Sequence, residues 1–137
     1  MRIRSATADD REAVVALWQA AGLTRPWNYP VADFKLAIAN PTSTILLARD
    51  ADELVGSVMV GFDGHRGWVY SLASDPDRRG LGIGRQLMRA AEDWLKERGC
   101  PKIQLMVRHD NESAQGFYTA LGYEVQDVVT IGRRLDG

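Results

Sequence analysis

The chain has 137 residues, of which 45% are hydrophobic and 26% charged, and its formal net charge is -1. This length fits one domain, which we expect to span residues 1–137, and the near-neutral charge disfavours nucleic-acid binding, which needs an excess of Lys and Arg. One cysteine, no apolar run of about 20 residues and no signal-peptide pattern at the N-terminus predict a cytoplasmic protein without disulfides or membrane spans.

The first half of the chain predicts two helices and four strands. Residues 2–5 alternate like a short strand, and Thr7 with an acidic residue three positions on indicates the start of a helix that ends at Gly22. Phe34, Ala37 and Ile38 predict a short second helix. Three β-rich runs follow, separated by turns, and they predict an antiparallel meander over residues 44–49, 54–62 and 68–73.

The second half predicts a long helix over residues 82–98, a strand over 102–107 and a shorter helix over 111–121. A strand, a helix and a strand of these lengths imply a right-handed crossover and a parallel pair. Residues 123–135 predict two short terminal strands or one bent strand. We therefore expect an α/β fold with a mixed, mostly antiparallel sheet flanked by about four helices.

A glycine-rich loop, Arg79-Gly80-Leu81-Gly82-Ile83-Gly84-Arg85, stands where a strand ends and the long helix begins. Glycines let the backbone approach a ligand closely, and the first helical amides have no intrahelical acceptors. Together with the helix dipole, these features predict an anion site suited to phosphate or pyrophosphate. Arg78, Arg79 and Arg85 would add positive charge around it.

Two common phosphate motifs do not fit this loop. A Walker A loop requires a Lys and a Ser or Thr after the last glycine, and none follows here. A dinucleotide fingerprint requires Gly-x-Gly-x-x-Gly, but Arg85 occupies the last position. The loop also follows an antiparallel meander rather than the first strand of a doubly wound sheet.

The pattern Arg79-x-x-Gly82-x-Gly84 resembles the pyrophosphate loop of the GNAT superfamily of acyl-CoA-dependent N-acetyltransferases. A second segment, Asn111-x-x-Ala114-x-x-Phe117-Tyr118-x-x-Leu121-Gly122-Tyr123, is similar to the C-terminal motif of that family. Residues 25–28, 63–67 and 98–102 further resemble its bacterial YpeA-like branch. The order of elements fits as well, so the resemblance covers nearly the whole chain and implies a splayed parallel strand pair.

The resemblance implies a set of acetyl-CoA contacts and no metal. The pantetheine arm would pair with backbone near Leu72, Ala73 and Ser74, and the pyrophosphate would bind the loop at Arg79, Gly80, Leu81, Gly82, Ile83, Gly84 and Arg85. Asn111 would contact the cofactor arm, cap the following helix, or do both. Tyr118 would protonate the leaving thiolate as general acid, and its alternative is a core aromatic.

The general base and the acceptor are less defined. Many relatives place a Glu on the strand before the loop, but residues 67–73 contain no carboxylate. His65, Asp63 and Tyr70 are candidate bases, and Asp63 and Tyr70 would act through water. Arg25, Trp27 and Asn28 belong to a segment that would wall an acceptor pocket or form a lid on the core. Arg25 and Arg66 would favour an acceptor that bears a carboxylate.

The sequence therefore predicts an N-acetyltransferase that transfers acetyl directly from acetyl-CoA to an amine in a ternary complex. The alternative is a non-catalytic acyl-CoA-binding or sensor module, because the usual carboxylate is missing. A small molecule, an amino acid and a peptide all remain open as acceptors. A terminal strand in so small a domain also favours pairing between two copies as a homodimer.

Overall fold

The computed structural model describes residues 1–136, which contain a five-stranded sheet and four α-helices. The strands are β1 (Arg2–Ser5), β2 (Ser43–Asp50), β3 (Glu53–Phe62), β4 (Gly67–Ser74) and β5 (Ile103–Leu105). The helices are α1 (Arg11–Ala20), α2 (Pro30–Ala39), α3 (Ile83–Glu97) and α4 (Glu112–Ala120). Two short 3-10 turns, Ala8–Asp10 and Pro76–Arg78, precede α1 and α3.

The strands lie in the order β1-β2-β3-β4-β5. Neighbouring strands are antiparallel except β4 and β5, which are parallel and joined through α3. This arrangement confirms the predicted α/β fold with a mixed, mostly antiparallel sheet. The chain divides into two compact units, Met1–Met106 with all five strands and α1 to α3, and a smaller unit from Val107 onward that contains α4.

Helices cover both faces of the sheet in the first unit. The indole Nε1 of Trp18 in α1 donates a buried hydrogen bond to Ser57 Oγ at 3.1 Å. The preceding residue of β3, Gly56, instead faces Ile83 and Leu87 of α3. Because successive residues of a strand point to opposite faces, α1 and α3 lie on opposite sides of β3.

The core between α1, α2 and the sheet is apolar and closely packed. The rings of Trp18 and Phe34 lie 6.5 Å apart in a tilted arrangement. Eight buried residues form this cluster: Val14, Leu17, Trp18, Phe34, Ala37, Ile45, Leu47 and Ala73. Burial of these side chains fixes the two helices on the sheet, since the free energy gained scales with the apolar area removed from water.

An ionic cluster around Asp10 joins β1, β2 and the start of α1. The Asp10 carboxylate, only 6% exposed, accepts hydrogen bonds from both Nη atoms of Arg4, from Arg49 Nη2 and from the Thr7 amide. Burial raises the pKa of Asp10, but the hydrogen bonds from Arg4, Thr7 and Arg49 outweigh it and hold the pKa at about 2. The helix start predicted from Thr7 and the acidic residue three positions on is therefore present, with Asp10 ionised at neutral pH.

The predicted strands within residues 123–135 are wrong. No strand forms in residues 123–136, although the segment is rich in β-branched residues. Its apolar side chains are exposed: Val125, Val128, Val129, Ile131 and Leu135. Local propensity is not sufficient here, because a strand also needs a neighbouring backbone with which to exchange hydrogen bonds.

Substitution of Gly56 tests the close packing of α3 on the sheet. A Cβ at Gly56 would lie 2.6 Å from Ile83 Cγ2 and 2.8 Å from Leu87 Cδ1, and both side chains are buried. We expect Gly56→Ala to lower the free energy of unfolding by about 1–3 kcal/mol, measured by urea denaturation. Gly116→Ala in α4, where a Cβ meets nothing within 4 Å, should leave stability unchanged or raise it. Equal losses in the two variants would contradict the packing argument.

The low pKa of Asp10 predicts a pH-dependent contribution to stability. Since the folded pKa of about 2 lies below the ordinary value of 3.8, the ionised carboxylate stabilises the fold above pH ~4 and ceases to do so as the pH falls to ~2. We expect Asp10→Asn to cost about 2 kcal/mol at pH 7 and nothing by pH ~2 in urea denaturation. Asp9→Asn, an exposed neighbour, is the matched control. A deficit that stays constant with pH would contradict this assignment.

Candidate active site

Strand β4 contains a bulge in its middle. Tyr70 pairs with Met59 and Ala73 pairs with Ser57, so two residues of β4, Ser71 and Leu72, lie opposite a single residue of β3. Ser71 has a φ of 52°, an uncommon conformation for a residue other than glycine. Bulges bend a strand and are frequent beside active sites. No sequence feature marked this position, because Ser71 sits in an ordinary β-rich run.

The bulge coincides with an opening between β4 and β5. The parallel ladder covers only Gly67–Val69 against Ile103–Leu105, whereas β4 continues to Ser74. Beyond Val69, the edge of β4 that would face β5 has no strand partner in the described chain. The predicted pantetheine contacts Leu72, Ala73 and Ser74 all lie on this stretch, where an extended ligand can reach backbone groups.

The glycine loop leads directly into α3. Gly80 and Gly82 have φ values of 81° and 73°, which glycine adopts without steric cost. A Cβ on either would meet no atom within 4 Å, so this side of the loop is open. A ligand can therefore approach the loop backbone without a clash.

The N-terminus of α3 is built to receive an anion. Gly82 is the N-cap residue, and within residues 1–136 no side chain forms a capping hydrogen bond there. The first helical hydrogen bond runs from the Gln86 amide to Gly82 O at 3.0 Å, which leaves the amides of Ile83, Gly84 and Arg85 without intrahelical acceptors. The first turn has no acidic residue and carries Arg85. A phosphate group would satisfy both these amides and the helix dipole.

A cavity of about 240 Å³ adjoins the loop in the first unit. It lies beside the β2–β3 turn and the first turn of α3, and Leu81, one of its lining residues, is 61% exposed. The loop is therefore not packed flat on the core. Its lining residues are Met1, Asp50, Val55, Arg78, Leu81, Ile83 and Gln86.

The three arginines around the loop do not share one role. Arg79 and Arg85 are exposed and extend from the loop and the first turn of α3. Arg78 was expected to add charge for an anion, but its guanidinium forms ion pairs with Asp50, Glu53 and Asp75. The expectation for Arg78 is therefore wrong, because three carboxylates already neutralise it.

Asp63 shapes the turn between β3 and β4. Its Oδ1 accepts hydrogen bonds from the amides of Arg66 at 2.7 Å and His65 at 2.8 Å, and its Oδ2 accepts one from Trp68 Nε1 at 3.2 Å. These bonds, those from Arg66 and His65 foremost, lower the pKa of Asp63. A carboxylate so engaged is a weak proton acceptor, and all three contacts are explained by the turn.

The same turn places His65 and Arg66 away from the glycine loop. They precede the N-terminal end of β4, and the loop follows its C-terminal end, so the eight residues of β4, about 26 Å, separate them. Arg66 Nη1 donates to the His65 carbonyl at 3.0 Å. Tyr70 lies nearer the bulge and is 42% exposed, and burial together with the charge of Asp63 raises its pKa. Of the candidate bases, only Tyr70 therefore lies next to the bulge.

The predicted acceptor segment folds as a connector between α1 and α2. Arg25 Nη1 donates to the carbonyls of Gly22 at 2.7 Å and Thr24 at 3.1 Å, and the Asn28 amide donates to Arg25 O at 2.9 Å. Trp27 is 55% exposed, which does not fit a lid packed on the core. Arg25 and Asn28 therefore support the connector, and Trp27 offers an aromatic surface.

The second unit contains Asn111 and Tyr118. Asn111 Oδ1 accepts from the Ala114 amide at 3.1 Å and caps α4. The ring of Tyr118 packs edge to face with Phe117 and Tyr123, at centroid distances of 5.0 and 5.8 Å. Burial raises the pKa of Tyr118, so the phenol is protonated at neutral pH and able to donate a proton.

Two further features bear on the kind of site. Among residues 1–136, no group of three or more His, Cys, Asp or Glu side chains is arranged to hold a metal ion. No helix in that part of the chain is long and apolar enough to cross a membrane.

Comparisons with known proteins identify the family of this chain. The profile of the acetyltransferase (GNAT) family matches residues 10–123. An acetyltransferase of Pectobacterium atrosepticum is 47% identical over 135 residues, or 98% of this chain and 96% of that protein. One of Sodalis glossinidius is 46% identical over 136 residues, again 98% and 96% of the two chains. The solved aminoglycoside N-acetyltransferase AAC(6')-Iy in complex with CoA, at 19% identity, has the same fold with a TM-score of 0.83 over 98% of this chain and 94% of its own.

Proposed function

We propose that this chain, which belongs to the GNAT family of acetyltransferases, moves an acetyl group from acetyl-CoA directly to an amine acceptor. The observation that carries the proposal is the uncapped N-terminus of α3, which follows the open glycine loop and the splayed end of β4. This arrangement offers amides to a pyrophosphate and a free strand edge to an extended arm. Both belong to a coenzyme A donor.

The cofactor-binding residues follow from these two features. The loop from Arg79 to Arg85 would hold the pyrophosphate through backbone amides, and β4 from Leu72 to Ser74 would pair with the pantetheine arm. Asn111 would add a contact to that arm beyond its capping bond. The backbone amides would recognise the negative charge of the phosphate groups, and the exposed Arg79 and Arg85 would add positive charge beside them.

The chemistry requires positioning and charge stabilisation more than a covalent intermediate. A backbone N–H near the bulge would stabilise the oxyanion that forms as the amine attacks the thioester. Tyr118 would then protonate the departing thiolate. The phenol holds its proton at neutral pH, and its raised pKa makes it a weaker acid than an exposed phenol. Holding the amine against the thioester supplies much of the remaining acceleration.

We further propose that residues 1–137 act as one catalytic domain. The family profile covers residues 10–123 and therefore includes parts of both compact units. The relatives from Pectobacterium and Sodalis each match 98% of the chain, which supports the same view. The glycine loop and Tyr118 would then contribute to a single reaction.

The base and the acceptor contacts are the finer part of the proposal. Of the two candidate bases in the turn between β3 and β4, His65 is favoured over Asp63, because the turn already engages the Asp63 carboxylate. Trp27 and Asn28 would border the acceptor, with Arg25 and Arg66 as partners for a carboxylate on it. The second candidate function, a non-catalytic acyl-CoA-binding module, is favoured only by the absence of a carboxylate on β4.

Release of the CoA thiol, measured over a panel of amines, amino acids and peptides, tests the reaction. We expect turnover with at least one acceptor, and we expect Tyr118→Phe to lower kcat by a factor of about 100 or more while KM for acetyl-CoA is unchanged. Tyr123→Phe removes a neighbouring phenol and should leave both constants unaltered. If the chain binds CoA but releases no thiol in the presence of any acceptor, the result would instead support the non-catalytic module.

Binding of CoA, measured by calorimetry, tests the location of the donor site. We expect Gly82→Val to raise Kd for CoA more than about tenfold, because the side chain would enter the open space above the loop. Gly99→Val is the matched control. Gly99 has a φ of 75°, against 73° for Gly82, and a Cβ added at either glycine would meet no atom within 4 Å. Gly99→Val should introduce similar backbone strain to Gly82→Val but leave the affinity for CoA unchanged. Equal effects of the two variants would place the donor elsewhere.

A further inference from the structure

We propose that Arg78 is a positioning residue that fastens the glycine loop to the turn between β2 and β3 and so holds the loop amides in place for the cofactor. This inference rests on the proposed function for the identity of its ligand. Its mechanical part depends only on the contacts of Arg78.

The guanidinium of Arg78 divides its three nitrogen atoms among three carboxylates. Nη1 lies 3.2 Å from Asp50 Oδ2, Nη2 pairs with Glu53 Oε2, and Nε lies 3.6 Å from Asp75 Oδ2. The planar fork of arginine suits such a junction, whereas a lysine ammonium would act as a single point. One side chain therefore ties three segments together.

The three carboxylates come from separate strand ends. Asp50 is the last residue of β2 and Glu53 the first of β3, so the two flank one turn. Asp75 follows β4 directly, and its amide donates to Val55 O at 2.9 Å. Asp75 also accepts from the Asp77 amide at 2.9 Å through Oδ1 and from the Arg78 amide at 3.0 Å through its carbonyl. The 3-10 turn before the loop is thus rigidly joined to the sheet.

The loop beyond Arg78 has little other support. Gly80 and Leu81 make no hydrogen bond within residues 1–136, and both are exposed. The next anchor is Ile83, which is 4% exposed and packs in the core. The loop is therefore held at two points, Arg78 and Ile83, and removal of the first would leave the intervening backbone free to move.

The charge of the cluster argues against a direct role for Arg78 in binding phosphate. Three carboxylates surround one guanidinium, so its positive charge is already balanced and offers a pyrophosphate no net attraction. Arg78 therefore acts as a joint. A joint and a free cation predict opposite results when the carboxylates are removed.

Two variants separate these roles: Arg78→Gln, and the double variant Asp50→Asn/Glu53→Gln. The first variant removes the guanidinium and the second removes two of the three carboxylate charges that it pairs with. Both therefore weaken the junction, and we expect each to raise Kd for CoA and KM for acetyl-CoA about three- to tenfold with kcat unchanged. If Arg78 served instead as a cation for the phosphate, the double variant would bind CoA more tightly than wild type, because it removes two negative charges. That result would overturn the proposal.

Arg98→Gln is the control, because Arg98 lies at the end of α3, over the ring of Trp94 at 3.6 Å. Arg98→Gln should leave Kd for CoA unchanged.

Amide hydrogen exchange in the absence of cofactor gives a readout that does not depend on the proposed function. We expect faster exchange at residues 79–85 in Arg78→Gln than in wild type. If wild type binds no CoA, the proposed function fails, but the exchange data still show whether Arg78 holds the loop in place. If wild type binds CoA and Arg78→Gln has the same Kd and the same exchange rates, the positioning role of Arg78 is wrong and the proposed function is unaffected.

Discussion

The close approach of α3 to the sheet sets the geometry on which the candidate site depends. At one end of the helix, Ile83 and Leu87 occupy the space over Gly56, and at the other end Leu95 lies over Gly67. A side chain at either glycine would push the helix outward, since buried packing leaves few voids. With its axis fixed at both ends, α3 presents its N-terminus beside the end of β4, where the glycine loop begins.

Strand β4, which leads into this loop, contains a bulge that bends it. The extra residue at Ser71 and Leu72 bends β4 where its ladder with β5 stops. An undistorted pair would satisfy its backbone groups in the sheet, whereas the splayed edge leaves them for a ligand. In the proposed function, the bulge and the helix N-terminus would supply two kinds of backbone donor for the two chemical parts of a CoA molecule.

Two ionic clusters with different consequences support the first unit. Asp10 is buried and joins β1, β2 and the start of α1, so its contribution belongs to folding stability. Arg78 lies at the surface and joins the β2–β3 turn to the loop before α3, so its contribution belongs to the local order of that loop. Exposed pairs add little to global stability, so the proposed role of Arg78 predicts an effect on cofactor affinity rather than on unfolding.

The sequence by itself determined the fold class, the order of the elements and the position of the glycine loop. These follow from local periodicity and from glycines at positive φ, such as Gly82, whose conformational needs are encoded at the residue. Only the tertiary structure decided the bulge at Ser71, the junction at Arg78 and the lack of strand in residues 123–136. Each of these depends on which distant segment lies opposite: β3 for Ser71, Asp50 and Glu53 for Arg78, and a strand partner for the terminal residues. A linear pattern carries no information on such neighbours, because the pairing energy arises only after the chain has folded.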